Sequence, residues 1–382
     1  MVVSENTGLF ENRSTPFYAY NLELLDKTLK ACKTASGKYG FEVHYAMKAN
    51  SNPRILQKVA AAGFGADCVS GNEVKFALLN GFTSGKTVFA GVGKSDTEIQ
   101  DALNGNILCF NCESIEEIAV LNELAQTAGK MAQIALRINP NVNANTHHYI
   151  TTGLDENKFG ISQQQLPAIL NELKNWPHIK IIGIHFHIGS QITDLEVFKN
   201  LCTRVNEFNR WFSDNQIKLQ IVNVGGGLGV DYTHPERNAI PDFESYFEVF
   251  HRFLEIQPGQ EIHFELGRAL VAHCGDLVSR VLYVKKGLKT QFAILDAGMT
   301  ELMRPALYQA RHKIVNLSNP NGVDHPYDVV GPVCESSDCF AKNIHLPEVR
   351  RGDLIAIRTA GAYGEVMASR YNLRELEEAV FY

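Results

Sequence analysis

Short apolar segments recur before about residue 270 and alternate with stretches in which apolar residues follow a helical spacing. Eight of these segments are rich in β-branched and aromatic residues, as buried strands are. They lie at residues 41–49, 65–70, 87–91, 107–112, 133–139, 181–188, 221–227 and 261–268. The pattern therefore predicts eight buried strands in the first two thirds of the chain.

Amphipathic stretches between these segments predict helices over residues 53–62, 73–79, 114–128, 195–213 and 243–256. Pro53 suits the first turn of a helix, and Ser114 followed by Glu117 matches the capping-box pattern. Eight strands that alternate with helices predict an α/β fold, a TIM-like (β/α)₈ barrel. A doubly wound parallel sheet is the alternative, but eight consecutive βα units favour closure into a barrel.

The pattern changes after about residue 271, where apolar segments are separated by turn residues with little helix between them. These segments predict a C-terminal domain of the β-sandwich type. The segment 16–20 also has the composition of a strand and could join this domain. We therefore expect a barrel over residues 24–270 and a β domain made of residues 1–23 and 271–382.

Composition and charge exclude several classes of protein. The 382 residues are 45% hydrophobic and 20% charged, which is ordinary for a globular protein and excludes disorder, collagen and coiled coil. The net charge of −6 argues against binding to nucleic acid. There is no apolar run of about 18 residues and no signal-peptide pattern, so we expect a cytoplasmic protein that does not associate with a membrane.

Eight cysteines fit the reducing environment of the cytoplasm and predict free thiols. Cys109 and Cys112 form a CxxC motif, which alone is a weak signal for zinc or redox chemistry. Both lie in an apolar segment, and no second CxxC would complete four zinc ligands. We expect buried structural thiols here and no metal.

Residues with catalytic potential fall at the carboxyl ends of the predicted strands, where barrel enzymes carry their active sites. Lys48 lies in the apolar segment 41–49, and burial of a lysine lowers its pKa and makes a nucleophilic amine. A lysine that extends from a strand end into solvent is the alternative. Glu265 is a carboxylate in another apolar strand. It could pair with a pyridine nitrogen or form a salt bridge with Arg137 or Arg268.

The glycines Gly225, Gly226 and Gly227 follow the seventh predicted strand, where barrels often bind phosphate through backbone N–H groups. A tight turn without a ligand is the alternative. His185 and His187 share one face of a strand, but the sequence places no third metal ligand beside them. A flat imidazole against a planar cofactor suits His187 better. An amine, a phosphate turn, an imidazole and a carboxylate together predict a site for pyridoxal phosphate.

The same residues carry a resemblance to a known family. The motifs HYAMKAN, GADCVSGNE, HFHIGSQITD, NVGGGLG, ELGR, LMRPALY, GPVCESSD and GAYGEVMASRYN resemble those of the fold-type III pyridoxal-phosphate-dependent decarboxylases, in the family's order. The resemblance extends from about residue 16 to residue 372. Within the family, it is strongest to the enzymes that decarboxylate meso-2,6-diaminopimelate to L-lysine and carbon dioxide, the last step of lysine biosynthesis.

The resemblance implies roles for individual residues. Lys48 would carry pyridoxal 5′-phosphate as a Schiff base, His187 would stack on its ring, and Glu265 would pair with the ring nitrogen. The implied cofactor-binding residues are Lys48, Asp67, Ser70, Glu73, Arg137, His187, Ser190, Gly225, Gly226, Gly227, Glu265, Gly267, Arg268 and Tyr363. The implied substrate-binding residues are Arg268, Arg304, Tyr308, Glu335 and Tyr363.

The resemblance also implies a homodimer with shared active sites. Cys334, as proton donor, and Glu335, as partner of the distal amine, would come from the second subunit. Together with Lys48, His187 and Glu265, Cys334 forms the implied catalytic set. Two arginines and a tyrosine suit a substrate with a second carboxylate, because arginine binds carboxylates in a bidentate manner.

The sequence is also compatible with other activities found among related proteins. Carboxynorspermidine decarboxylase and other basic amino-acid decarboxylases share the fold, and an alanine racemase-like enzyme shares barrel and cofactor. A cofactor carrier would lack the β domain, and a catalytically dead regulatory homologue would be expected to lose the Lys48, Glu265 and Cys334 set. The chain departs from the family at Leu266, where proline is usual, and at His148, in the loop 141–160 that could act as a lid.

Overall fold

The computed structural model describes residues 8–142 and 158–382. Within them the chain divides into two compact units. The β unit comprises the residues up to Thr28 together with Val230–Pro241 and Arg268–Tyr382, and the barrel unit comprises Leu29–Gly229 and Asp242–Gly267. No helix among the described residues has the length and apolar character needed to cross a membrane. His148 and most of the loop 141–160 lie outside the described residues.

Eight parallel strands close the barrel unit into a barrel, in chain order, with the first strand paired to the last. They are β2 (Glu42–Ala46), β3 (Gly65–Cys68), β4 (Thr87–Phe89), β5 (Cys109–Cys112), β6 (Ala132–Arg137), β7 (Ile179–His185), β8 (Ile221–Asn223) and β9 (Glu261–Leu266). The predicted barrel is confirmed. Leu266 pairs with Tyr45 where the barrel closes, a strand position in which proline could not donate a hydrogen bond.

One helix precedes the first barrel strand, and others follow most of the barrel strands. They are α1 (Leu22–Gly37), α2 (Pro53–Ala61), α3 (Gly71–Leu79), α4 (Asp96–Asn104), α5 (Ile115–Thr127), α6 (Leu166–Glu172), α7 (Glu196–Asp214) and α8 (Phe243–Phe253). Pro53 lies in the first turn of α2, as predicted. Ser114 caps α5 by accepting from Glu117 N, but the Glu117 carboxylate accepts from Glu113 N, so the reciprocal capping bond is absent there. Ser95 and Glu98 form a complete capping box on α4.

The β unit contains an eight-stranded, mostly antiparallel sheet. Its strands are β1 (Phe17–Tyr20), β10 (Gly275–Lys286), β11 (Gln291–Leu295), β12 (Ile314–Asn316), β13 (Asp324–Val330), β14 (Cys339–Pro347), β15 (Leu354–Ile357) and β16 (Val380–Phe381). β1 pairs with β10, so the N-terminal strand joins the C-terminal sheet as predicted. Two short helices, α9 (Arg268–Val271) and α10 (Arg304–Tyr308), belong to the same unit.

Candidate active site

Glu265, on β9, is a buried carboxylate that accepts three side-chain hydrogen bonds inside the barrel. Asn223 Nδ2 and Asn111 Nδ2 lie 2.8 and 3.1 Å from Oε1, and His185 Nε2 lies 2.9 Å from Oε2. The donors come from β8, β5 and β7, so the barrel's closure brings them together. Arg137, one of the two arginines expected as alternative partners of Glu265, does not fill that role, because its guanidinium pairs with Glu113 at 2.7 Å.

Two carboxyl groups in the barrel interior, those of Glu265 and Asp67, have pKa values that are shifted in opposite directions. Burial alone would raise the pKa of Glu265, but the charge and hydrogen bond of His185, and the charge of Lys48, hold it well below its usual range. Burial raises the pKa of Asp67 well above its ordinary value, and the charge of Glu265 raises it further. The opposite shifts favour the ionised form of Glu265 over that of Asp67, and an ionised Glu265 suits a cationic ring nitrogen.

The turn formed by Gly225, Gly226 and Gly227, here called the glycine turn, fits tightly against its neighbours. Gly225 and Gly227 have φ of +70° and +106°, which favour glycine. A Cβ on Gly226 would lie 1.8 Å from the carbonyl oxygen of Glu265, and one on Gly225 would lie 2.2 Å from that of Phe186. Because no side chain fills this turn, its backbone can approach a ligand closely, as phosphate binding requires.

Lys48 does not lie within a strand, contrary to the expectation from the apolar segment 41–49. β2 ends at Ala46, and Lys48 lies in a 3₁₀ turn, Met47–Ala49, with its side chain exposed. The burial expected for Lys48 is therefore wrong, because its neighbours Met47 and Ala49 are buried while the lysine itself is exposed. The charge of Lys48 nevertheless acts on the barrel carboxyl groups, since it lowers the pKa of both Asp67 and Glu73.

Ser70 and Glu73 lie at the start of α3, where both act in the cap of the helix. Ser70 Oγ accepts from Glu73 N at 3.2 Å, and Glu73 Oε2 accepts from Val69 N at 2.7 Å. Burial raises the pKa of Glu73, while the hydrogen bond from Val69 and the charge of Lys48 lower it. The carboxylate is thus fixed at the carboxyl end of β3, one of the ends at which barrel enzymes bind their ligands.

The remaining predicted cofactor residues of the barrel unit follow β6, β7 and β9. Arg137, buried at the end of β6, pairs with Glu113 and stacks over the Phe159 ring at 4.8 Å. His187 and Ser190 lie in the segment after β7, and both are half-buried. Burial, and then the charges of Lys48 and Arg137, lower the pKa of His187 well below its ordinary value, which leaves the ring neutral. Gly267 is buried directly after β9.

A second set of predicted residues lies together in the β unit. Arg268 Nη1 lies 2.5 Å from the Tyr232 hydroxyl, and the Arg268 guanidinium stacks over Tyr363 at 4.9 Å. Arg304 stacks over Tyr232 at 4.8 Å and donates to His312 Nε2 at 2.9 Å. Burial lowers the pKa of Arg304, and the charge of Arg268 lowers it as well. Two buried cations that repel one another provide a site for an anion.

Cys334 and Glu335 lie on an exposed turn of the β unit. Buried Asp338 holds this turn, because its carboxylate accepts from Val333 N at 2.7 Å and from Met299 N at 2.6 Å. Tyr308, at the end of α10, is half-buried. Cys109 and Cys112 are both buried thiols, as predicted. Among residues 8–142 and 158–382, histidine, cysteine and acidic side chains form no group of three that could hold a metal ion.

Comparison with known proteins decides the family. Residues 23–272 match the family model described as pyridoxal-dependent decarboxylase, pyridoxal binding domain. The chain belongs to this family of pyridoxal-dependent decarboxylases. A curated relative from Bacteroides thetaiotaomicron, named diaminopimelate decarboxylase, is 55% identical over 368 residues, which cover 96% of this chain and 95% of the relative.

Solved structures of decarboxylases have the same fold. The crystal structure of diaminopimelate decarboxylase from Helicobacter pylori, complexed with L-lysine, matches with a TM-score of 0.92 at 41% identity, over 98% of this chain and 94% of that chain. The lysine/ornithine decarboxylase from Vibrio vulnificus, complexed with putrescine, matches with a TM-score of 0.85 over 100% of this chain and 98% of that chain. At 22% identity, the second match shows the fold alone.

The residues of the decarboxylase barrel fit pyridoxal phosphate. The glycine turn has no side chain that would keep its backbone away from a phosphate, and Glu265 is an ionised carboxylate for the ring nitrogen. Asp67 Oδ1 is buried and has no hydrogen-bond partner within the described residues, as expected of an atom that faces a ligand. Pyridoxal phosphate is the cofactor of this enzyme family, and the chain's own geometry agrees with it.

Sequence reasoning missed several residues that support these sets. Asn111, Asn223 and His185 hold Glu265, whereas Tyr232 and His312 contact the arginines of the β unit. The interior of a barrel is usually filled by branched apolar residues. An amide or a histidine in an apolar strand is therefore a signal in the sequence for a polar contact inside the barrel. That signal marks a position but does not identify the partner.

Proposed function

We propose that this protein removes one carboxyl group from meso-2,6-diaminopimelate and forms L-lysine and carbon dioxide, with pyridoxal 5′-phosphate as cofactor. The observation that carries the substrate assignment is the pair of buried arginines, Arg268 and Arg304, which contact the ring of Tyr232. A substrate carboxylate would relieve their mutual repulsion and use their fork geometry. Amino acids whose distal end is only an amine have no use for this pair.

The residues of the barrel unit hold the cofactor in this proposal. When bound, pyridoxal phosphate withdraws the electron pair that remains on the substrate carbon after carbon dioxide leaves. Lys48 supplies the amine of attachment, His187 packs against the ring, and Glu265 keeps the ring nitrogen protonated. Ser190 and the glycine turn bind the phosphate. The other residues proposed to bind the cofactor are Asp67, Ser70, Glu73, Arg137, Gly267, Arg268 and Tyr363.

The glycine turn can bind phosphate only through N–H groups that do not already donate a hydrogen bond within the protein. Gly225 N donates to Asn223 Oδ1 at 2.9 Å, so this N–H serves the turn itself. Phosphate contact by the turn then falls to Gly226 and Gly227.

The substrate is bound and protonated by groups of the β unit. Arg268, Arg304 and Tyr308 bind the distal carboxylate, and Glu335 binds the distal amine. The Cys334 thiol donates a proton to the carbon that has lost carbon dioxide. We propose that Cys334 and Glu335 act in the site of a second copy of the chain, which makes a homodimer the active form. The eight cysteine thiols, none of them in a disulfide, suit a cytoplasmic location.

The test is release of carbon dioxide from purified protein supplied with pyridoxal phosphate. Four substrates are compared, namely meso-diaminopimelate, ornithine, arginine and carboxynorspermidine. We expect release from diaminopimelate with an equal amount of lysine. Release from another of the four would retain the cofactor chemistry and overturn the assignment of the arginine pair. Cofactor binding without release from any substrate would overturn the decarboxylase assignment.

A further inference from the structure

Asn223, at the end of β8, contacts both ends of the proposed cofactor site with one side-chain amide. Its Oδ1 accepts from Gly225 N at 2.9 Å, and its Nδ2 donates to Glu265 Oε1 at 2.8 Å. The side chain is buried, at 2% exposure. One planar group of fixed geometry therefore joins the glycine turn to the barrel carboxylate.

We propose that Asn223 is a positioning residue that couples the glycine turn to Glu265, so that one amide sets the phosphate end and the ring end of the cofactor site together. The proposal rests on the cofactor binding proposed above. It assigns to Asn223 a role toward both groups, and it predicts that damage to this amide affects phosphate recognition and ring ionisation at the same time.

The orientation of the amide follows from its two neighbours. The N–H of Gly225 requires an acceptor, and the Glu265 carboxylate requires a donor. The reversed amide would place donor against donor and acceptor against acceptor, at the cost of two buried unsatisfied groups. Aspartate could still accept from Gly225, but its second oxygen would face Glu265 and repel it. Of asparagine and aspartate, only asparagine can accept from Gly225 N and also donate to Glu265.

The backbone between these groups leaves little room for independent movement. Glu265 N donates to the carbonyl oxygen of Gly225 at 2.8 Å. A Cβ on Gly226 would lie 1.8 Å from the Glu265 carbonyl oxygen, so the turn and β9 are in direct contact. A close-packed interior transmits displacement rather than absorbing it. A shift of the Asn223 amide therefore moves the glycine turn relative to the carboxylate.

Asn111, on β5, provides a matched comparison. It is buried and donates to the same oxygen, Glu265 Oε1, at 3.1 Å. Within the described residues, its side chain otherwise contacts the Cys109 thiol at 3.9 Å and not the glycine turn. Loss of the Asn111 amide therefore affects the ring end alone, whereas loss of the Asn223 amide affects both ends.

The experiment measures equilibrium binding of two probes, pyridoxal phosphate and pyridoxal, to the full-length apoprotein. The ratio of the two affinities isolates the phosphate contribution. The variants are N223A, N223D and N111A, and circular dichroism checks their fold. We expect N223A to lose about tenfold of the preference for the phosphorylated probe, and N223D to lose about threefold because repulsion from Glu265 displaces its acceptor oxygen from Gly225 N. N111A should retain the preference within about twofold. All three should alter the pH dependence of the bound probe's absorbance.

The outcomes separate this inference from the function on which it rests. If the wild-type protein binds neither probe, the cofactor assignment fails and the inference fails with it. If wild type prefers pyridoxal phosphate and N223A retains the full preference, as N111A does, the coupling is overturned while the cofactor assignment remains. Should N223A fail to fold, N223D decides, because an unchanged pH dependence in that variant contradicts the role toward Glu265.

Discussion

His312 shows at the scale of one residue how a neutral side chain can orient a charged one. Its Nδ1 donates to the carbonyl oxygen of Arg358 at 2.8 Å, so its Nε2 is an acceptor and receives the Arg304 guanidinium at 2.9 Å. Burial, with the charge of Arg304, lowers the pKa of His312 to about 3. The ring therefore stays neutral and keeps Arg304 in place near neutral pH.

Substitution of His312 by phenylalanine should weaken substrate binding without changing the chemistry. H312F leaves a buried guanidinium donor without its acceptor, and we expect KM for diaminopimelate to rise about tenfold with kcat little changed. H312Q should restore most of the affinity, because a glutamine can accept from Arg304 and donate to Arg358. Steady-state kinetics measure both constants. H345F, at an exposed histidine of β14, is the control, and an unchanged KM in H312F would contradict the role.

Candidate site residues that lie in short motifs could be predicted from the sequence. The side chains that hydrogen-bond to them could not. Lys48, Glu265 and the glycines stand in short motifs, so they could be named as candidates. Asn111 lies 154 residues from Glu265 along the chain, and only closure of the barrel brings the two together. The burial assumed for Lys48 was wrong for a related reason, because an apolar neighbourhood in sequence does not fix the direction of a side chain at a strand end.

At the scale of elements, the turn that carries Cys334 and Glu335 depends on Asp338. The carboxylate accepts from Val333 N within the turn and from Met299 N in the segment after β11, and so fixes the turn to that segment. D338N replaces one acceptor by a donor that faces a backbone N–H, and we expect kcat to fall about tenfold as the turn loosens. Cofactor affinity should be unchanged.

The control for D338N is D324N, the same exchange at an exposed position of β13. Stopped assays for carbon dioxide, combined with cofactor titration, give kcat and cofactor affinity for both variants. A D338N enzyme with wild-type kcat would show that the turn keeps its geometry without this carboxylate.

The apolar pattern located every barrel strand and extended most of them too far. The segment 221–227 contains β8 only over Ile221–Asn223, and the segment 41–49 contains β2 over Glu42–Ala46. Apolar residues continue past both strand ends because the following turns are buried beside the active-site end of the barrel. α4 was missed, although Ser95 and Glu98 carry its capping signal. The short strands β12 and β16 contain too few residues for a periodic pattern.

For the whole molecule, buried histidines predict a loss of stability in acid. Burial lowers the pKa of four of them, to about 3 for His44 and His312 and to about 4 for His263 and His273. In the unfolded chain these groups titrate near 6.5, so below that pH the unfolded state binds more protons. Their stabilisation is complete above about pH 6.5 and is lost as the pH falls toward 4. At pH 5, protonation of each of these histidines in the unfolded chain lowers the free energy of unfolding by about 2 kcal/mol.

Urea unfolding of the apoprotein at pH 7.5 and pH 5.0 measures this loss, and the midpoint should be lower at pH 5.0. Buried acids whose pKa is raised, such as Asp67 and Asp276, act in the opposite direction, so the comparison needs a variant. H312Q removes one of the four histidines and keeps the hydrogen-bonding pattern. Its midpoint should fall less between the two pH values than that of wild type, and an equal fall would contradict the linkage.

The proposed sharing of sites between two copies of the chain can be tested by mixing two inactive proteins. K48A lacks the amine of the barrel, and C334A lacks the thiol proposed to act in the other copy's site. In a mixed dimer, one site combines Lys48 of the C334A chain with Cys334 of the K48A chain and is intact. The other site lacks both groups. Random mixing gives half mixed dimers with one working site of two, or about a quarter of wild-type activity. Denaturation and joint refolding, followed by the carbon dioxide assay, measure the recovery. Activity that stays at the level of the separate variants would mean that each site uses the lysine and the thiol of the same chain.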